Sequence, residues 1–156
     1  MLVPYRKETM VLPIPVGEAL AHLSKVTRPV SRSVKKGETQ FLFNGSVEQG
    51  RFTISRRVDY PNNYIPLIKA YVEDSTRGCI LFLEYSLFFS SFMFLVFWSV
   101  ISVLLGLFLL FYAHEINYAM VAWGAGILNY VVTLMNFRKQ YTISRKLLLE
   151  ALELHH

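Results

Sequence analysis

The alternation of apolar and polar residues changes its character near Tyr85, and the change separates two kinds of structure. Up to that point the apolar runs are short and interrupted by turn residues, as in a small α+β domain. Residues 87–113 then form 27 positions without a charged side chain, and residues 116–137 form 22 more. A helix needs about 20 apolar residues to cross a bilayer, so the pattern predicts a hairpin of two transmembrane helices.

The first elements of the soluble part are a strand and a helix. Lys7 to Leu12 alternate as a short strand, and Pro13 and Pro15 prevent its regular continuation. Apolar residues at helical spacing from Val16 to Val26 predict an amphipathic helix that ends before Pro29. One face of this helix can therefore cover a sheet.

A polar and basic segment from Ser31 to Glu38 is predicted to be a loop, and a first antiparallel hairpin follows it. Asn44-Gly45 is a dipeptide typical of hairpin turns. Phe43 and Val47 nevertheless keep one parity across it, which favours a single strand running through Gly45. We therefore place the turn at Gln49-Gly50.

A second hairpin completes the domain. Leu67 to Glu73 alternate as a strand, Asp74 to Gly78 supply the turn, and Cys79 to Tyr85 form the last strand. The predicted fold is α+β: a small antiparallel sheet with one covering helix, a two-helix transmembrane hairpin and a short C-terminal helix. Because no linker separates Tyr85 from the apolar run, strand and membrane helix should be mechanically continuous.

Charge distribution predicts the domain boundaries and the topology. Residues 1–84 hold twelve Lys and Arg against eight Asp and Glu, and the tail from residue 138 holds four against two. The positive-inside rule then places both termini on the cytoplasmic side of the cell's inner (plasma) membrane. The predicted units are a cytoplasmic domain (1–85), the hairpin (86–137, with spans 87–113 and 116–137), an amphipathic tail (138–154) and a tag remnant (155–156).

Arg138 and Lys139 follow the second span and are predicted to anchor its cytoplasmic end. The tail after them is helix-like, with Tyr141, Leu148 and Leu152 on one stripe. It can lie on the headgroups or dock on the soluble domain. Its apolar content argues against a free tail.

Small and mildly polar residues form one stripe on each predicted span. In lipid, such residues let helix backbones approach closely and form interhelical hydrogen bonds. Either the two stripes face each other inside one hairpin, or they line an oligomeric interface or a narrow polar pathway. Asn129 stands out, because an amide near mid-span needs a hydrogen-bond partner. The stripes consist of Ser99, Ser102 and Gly106 on the first helix and Ala119, Ala122, Gly126, Asn129 and Thr133 on the second.

The basic residues Arg56, Arg57 and Lys69 are candidates for contact with a lipid headgroup or an acidic ligand. A basic domain tethered to an anionic leaflet gains about 1 kcal/mol per well-placed charge. An excess of four positive charges in residues 1–84 is too small to define a nucleic-acid footprint. The expected partners are therefore the bilayer, a second copy of the chain, or a cytoplasmic protein or acidic ligand.

Motifs of catalysis and cofactor binding do not occur in the chain. It has no H-E-x-x-H, G-x-S-x-G, P-loop, C-x-x-C or dinucleotide fingerprint, so we assign no catalytic residue, cofactor or metal. His114-Glu115 is interpreted as an exposed tight turn. Cys79 is the single cysteine, so an intrachain disulfide is excluded.

A short set of residues resembles a group of small bacterial two-span membrane proteins without an assigned activity. The resemblance rests on Phe43-x-Gly45-x-Val47, on Phe52-x-Ile54-x-Arg56, and on Asn63 and Pro66 ahead of two apolar spans. It covers about residues 10–140. It implies the same layout and a bacterial origin, and it supplies no catalytic residue.

The sequence leaves three functional hypotheses. The leading one is a non-enzymatic module whose cytoplasmic domain recognises or assembles with a partner while the hairpin anchors it. The second is a small homo-oligomeric pore or membrane-perturbing effector gated by the soluble domain. The third is an enzyme acting on lipid, which would need a polar cluster invisible in the linear sequence.

Overall fold

The computed structural model describes residues 3–29, 41–58 and 62–153. The predicted loop at Ser31 to Glu38 and the two terminal histidines lie outside these ranges. The elements in chain order are β1 (Tyr5–Leu12), α1 (Val16–Val26), β2 (Thr27–Pro29), β3 (Phe43–Glu48), β4 (Arg51–Arg56), β5 (Leu67–Ser75), β6 (Gly78–Ser86), α2 (Phe89–Phe111) and α3 (Ile116–Glu153).

The strands form one sheet in the order β1-β6-β5-β4-β3-β2. All neighbours pair antiparallel except β2 and β3, which pair in parallel with Thr27 opposite Phe43. The α+β class is confirmed, but the prediction of a purely antiparallel sheet was wrong because β2 was missed. A strand of only three residues directly after a helix leaves no alternation to detect.

Strand β3 runs through Asn44-Gly45, as predicted, and the hairpin turn lies at Gln49-Gly50. Gly45 has φ 154°, and a Cβ at this position would overlap the backbone carbonyl of Thr53 on β4. Glycine is therefore required by the close approach of the neighbouring strand rather than by a turn.

One face of the sheet, which we call the covered face, carries both packed helical segments. Helix α1 places Ala19 and Leu23 on it, and the C-terminal part of α3 packs beside α1. The fully buried side chains Phe43, Phe52 and Tyr85 come from three different strands. The core is thus a single layer between the covered face and two helical segments.

Helix α3 is continuous from Ile116 to Glu153, so the predicted separate C-terminal helix was wrong. Arg138-Lys139 marks a change of polarity, not an end of the helix. No Gly or Pro occurs between Ile127 and Glu153 that would break or kink it. Of the two predicted positions for the tail, the structure shows docking: Leu148 is fully buried and Tyr141 and Leu152 are nearly so.

Helices α2 and α3 are long and apolar enough to cross a membrane. Only 11% of the most apolar window of each helix is buried within the protein. Strand β6 ends at Ser86 and α2 begins at Phe89, so Leu87 and Phe88 are the whole connection. The predicted direct join between strand and helix is therefore present.

Candidate functional site

The docked part of α3 is held to the first strand by a polar cluster that we call the junction: Glu8, Tyr85, Tyr141 and Arg145. The Arg145 Nη2 lies 2.6 Å from Glu8 Oε1, and its Nε donates to both carboxylate oxygens at 2.9 Å. The Tyr141 hydroxyl donates to Glu8 Oε2 at 3.0 Å. A bidentate arginine–carboxylate pair fixes geometry as well as supplying energy.

The junction also perturbs the ionisation of its members. The hydrogen bonds from Arg145 lower the pKa of the Glu8 carboxyl despite its partial burial. Burial raises the pKa of the Tyr85 phenol, whose ring meets that of Tyr141 edge to face at 4.7 Å between centroids. The Arg6 guanidinium lies 4.8 Å from the centre of the Tyr141 ring, in a cation–π contact.

These contacts show how the axis of α3 is oriented relative to the strands. Tyr141 lies at the level of Tyr85, which pairs with Arg6, whereas Arg145 lies at the level of Glu8, which pairs with Leu83. The four residues from Tyr141 to Arg145 advance about 6 Å along the helix, and two strand residues advance about 6.7 Å. Helix α3 therefore runs along the strands.

The three basic residues proposed as a headgroup site do not come together. Arg56 lies on the covered face and donates from Nη2 to Oε1 of Gln140 on α3. Lys69 is exposed on the opposite face, where it pairs with Thr53 and Glu84 in the sheet register. Arg57 follows β4, and its backbone N–H donates to the carbonyl of Leu42 at 2.9 Å. Arg56 thus joins the sheet to α3.

The small-residue stripes of α2 and α3 meet between the two helices. The Ser102 hydroxyl donates to the carbonyl of Ala122, and Gly126 packs against the same serine side chain. Gly106 lies against the Trp123 indole, which a Cβ would overlap. Ser99 instead donates to Leu95 O of its own helix at 2.8 Å. Most of the predicted stripe therefore forms the contact inside one hairpin.

Open grooves flank this contact. One of about 440 Å³ is lined partly by Trp98, Ala122 and Asn129, and one of about 580 Å³ lies on the other side, against Trp123 and Tyr130. Asn129 and the buried Thr133 also border a cavity of about 30 Å³ beneath the loop at Asn63 and Tyr64. The Asn129 amide thus faces both a groove and the loop that precedes β5.

The second face of the sheet, which we call the open face, carries no helix among the described residues. Its outward apolar side chains include Val11 opposite Ile80 and Phe82 opposite Tyr71, and Tyr5 and Leu67 flank Ser86 at the end nearest α2. Val11 is 67% exposed and Tyr71 57%. The Lys7 Nζ lies 2.7 Å from Glu84 Oε1, one row before the end of β6 at Ser86, and Lys69 is on the far side of Glu84.

The predicted anchor residues lie on the surface of α3, at the end of its apolar part. Arg138 and Lys139 are both exposed on α3, one step beyond the fully buried Phe137. Within the described ranges, no group of three His, Cys, Asp or Glu side chains is arranged to hold a metal ion.

Comparisons with known proteins add little. No protein-family model and no curated protein matches the chain. A solution NMR structure of a Polyketide_cyc-like protein from Corynebacterium glutamicum matches at 17% identity, covering 98% of this chain and 96% of that one, with a TM-score of 0.28. A score of this size assigns neither fold nor function.

The junction was not predicted as a site. Glu8 and Arg145 are 137 residues apart, so no local pattern connects them. The available signal was the stripe of Tyr141, Leu148 and Leu152, with Arg145 beside it, on a segment too apolar for free solution. That stripe required a sheet to cover, and an acidic residue at the start of β1 could have been sought as its partner.

Proposed function

We propose that the chain is a non-enzymatic membrane protein in which α2 and α3 anchor a cytoplasmic recognition or assembly domain. The observation that carries the proposal is the continuity of α3. A helix of 38 residues is about 57 Å long, against about 30 Å of hydrocarbon. About half of it is therefore available to hold the sheet outside the bilayer.

Exposure of the apolar helices supports insertion into lipid. The core helix of a soluble domain is largely buried, whereas these two windows are 11% buried. Leaving so much apolar surface in water would cost about 25 cal/mol per Å². Contiguous apolar surface of this extent marks contact with membrane or protein.

The proposed location is a bacterial inner membrane with both termini in the cytoplasm. The excess of Lys and Arg on both sides of the hairpin supports this orientation. Arg138 and Lys139, exposed at the start of the docked part of α3, lie where headgroup phosphates would meet the helix.

The two attachments of the domain support a role in assembly. Strand β6 passes almost directly into α2, and the junction locks α3 to β1, so the domain cannot rotate freely on a tether. Its open face is consequently held in one orientation relative to the membrane. A partly apolar surface that is held in a fixed orientation loses less freedom on binding, so it is suited to binding a partner.

The pore alternative uses the same stripes differently. Ser102, Gly106 and Gly126 are occupied by packing within the hairpin, which favours anchorage. Asn129 faces an open groove and is the residue that a pore would use. Ion flux in liposomes separates the two functions, because an anchor conducts nothing.

The test combines three measurements on the full chain. The protein should remain in membranes washed at alkaline pH and should not release ions from reconstituted liposomes. A photo-crosslinking amino acid in place of Tyr71 should give one discrete adduct in membranes, and the same group in place of the exposed Lys25 on α1 should give none. Ion release, or equal adducts at both positions, would overturn the proposal.

A further inference from the structure

The open face has a definite orientation if α2 and α3 cross a membrane. Helix α3 runs along the strands on the covered face, and β6 enters α2 at the end nearest the lipid. The plane of the sheet therefore stands along the membrane normal. The open face points sideways and cannot lie on the bilayer surface.

Rows of paired residues across β1, β6 and β5 are then parallel to the membrane. The row nearest the lipid that carries charge is Lys7, Glu84 and Lys69. The next row away from the membrane includes Phe82 and Tyr71, and the row beyond it includes Val11 and Ile80. Glu73 stands beside Ile80 in the last of these rows, so charge flanks the apolar side chains on the membrane side and on the β5 side.

We infer that the open face binds the open face of a second copy of this chain, as a two-fold dimer whose axis is parallel to the membrane normal. The inference rests on the proposed membrane anchorage. Only a protein anchored in the same orientation is certain to present matching rows at the same height. Isologous contact between identical patches is the commonest form of dimer symmetry.

The charged row and the row of Val11 and Ile80 together select the register of this dimer. When two sheets pack face to face about a two-fold axis parallel to the membrane normal, the strands keep their direction. The lateral order of the strands in one copy is then the reverse of the order in the other. With the axis on β6, Glu84 would face Glu84 of the second copy, which is repulsive. With the axis between β6 and β5, Lys69 would face Glu84 of the second copy, but the charged Glu73 would face the apolar Ile80. With the axis between β1 and β6, Lys7 faces Glu84 of the second copy twice and Val11 faces Ile80, so both rows are satisfied.

The apolar rows fit the same register. Phe82 then lies near Thr9 of the second copy, and Val11 lies near its Ile80. Face-to-face sheets pack about 10 Å apart, so these side chains fill the gap between the two sheets. The exposed Val11 side chain is covered by this contact, and Tyr71 on β5 lies at its edge.

Cross-linking tests the inference in membranes or nanodiscs. Cys79 is fully buried and is first replaced by Ala to remove its background. Thr9→Cys should cross-link to a second copy through a short bifunctional maleimide. Ser24→Cys, on the exposed side of α1, is the matched control and should not.

Charge reversal tests the register. Lys7→Glu and Glu84→Lys should each lower the Thr9→Cys cross-linking yield about tenfold, because like charges then meet twice. An equal mixture of the two variants should restore the yield, because each reversed charge then faces an opposite one. A purely structural effect of breaking the Lys7–Glu84 pair within one chain would not be restored by mixing.

The outcomes separate this inference from the proposed function. Protein that resists alkaline extraction but stays monomeric overturns the dimer and leaves the anchored module standing. Equal cross-linking at Thr9→Cys and Ser24→Cys also overturns the dimer. Protein released by alkaline extraction overturns both.

Discussion

Arg145 and Glu8 join the last quarter of the chain to its first strand through a two-pronged ion pair, with Nη2 2.6 Å from Oε1. Their side chains are 39% and 19% exposed. The pair lies in the part of α3 that follows the apolar residues and packs on the sheet. It therefore adds a polar attachment to the apolar packing of α3 on the sheet.

Removing either partner should destabilise the domain. Arg145→Ala leaves a partly buried carboxylate with one hydrogen bond from Tyr141, and hydrogen bonds to charged groups contribute about 1.5 to 3 kcal/mol. We expect a double-mutant cycle of Arg145→Ala and Glu8→Ala, measured by denaturant unfolding in detergent, to give a coupling energy of about 2 kcal/mol.

The Lys7–Glu84 pair is the matched control for that cycle, because it has a similar distance but side chains that are 67% and 41% exposed. Its coupling energy should be clearly smaller in a monomeric sample, because solvent screens an exposed ion pair. Equal coupling in the two cycles would contradict the assigned role of the junction.

Acid should release the docked part of α3. Arg145 lowers the pKa of Glu8 in the folded protein, so the ion pair contributes stability above the carboxyl's unfolded pKa. That contribution is lost as the pH falls below about 4, through the lowered folded pKa. The midpoint of thermal unfolding should therefore decrease more steeply with acid in the native chain than in Glu8→Gln.

The contact between α2 and α3 should not tolerate an added side chain at two glycines, but it should tolerate one at a third. Gly106→Ala would collide with Trp123, and Gly126→Ala with Ser102. Gly124 has nothing within 4 Å of an added Cβ and is the control. We expect both collisions to lower the unfolding midpoint, with a shift in Trp fluorescence for Gly106→Ala, whereas Gly124→Ala should leave the midpoint unchanged or raise it.

Interrupting α3 just after its apolar part should uncouple the sheet domain from the apolar helices. Lys139→Pro removes a backbone donor and clashes with the preceding turn, at a cost of about 3 kcal/mol. Lys139→Ala removes only the charge. Amide hydrogen exchange over residues 140–152 should increase strongly in the proline variant and little in the alanine variant. Similar exchange in both variants would contradict the inference that the continuity of α3 couples the sheet to the apolar helices.

Much of the fold was accessible from local patterns. Strand β6, helix α1 and both hairpins follow from periodicity and turn residues, and Gly45 was correctly kept inside a strand. Strand β2 was missed because its three residues are defined by a partner on β3, not by their own pattern. The length of α3 was missed because the basic pair Arg138-Lys139 was taken as a boundary.

The candidate site was less accessible than the fold. The stripe of small residues predicted a close helix contact, but its partners, such as Trp123 against Gly106, depend on the relative rotation of two helices. Arg56 was named as a candidate for contact with a lipid headgroup or an acidic ligand, because the sequence does not show that α3 packs on the face that Arg56 shares with Phe52 and Ile54. Contacts between distant segments, of which the junction is the clearest, have no local signal.

Membrane topology is the central claim, and cysteine labelling tests it most directly. In the Cys79→Ala background, His114→Cys lies in the turn between α2 and α3, and Ser24→Cys lies on α1. An impermeant maleimide should label His114→Cys in intact cells and Ser24→Cys only after permeabilisation. Labelling of both positions from the same side of the membrane would contradict a hairpin that crosses the bilayer.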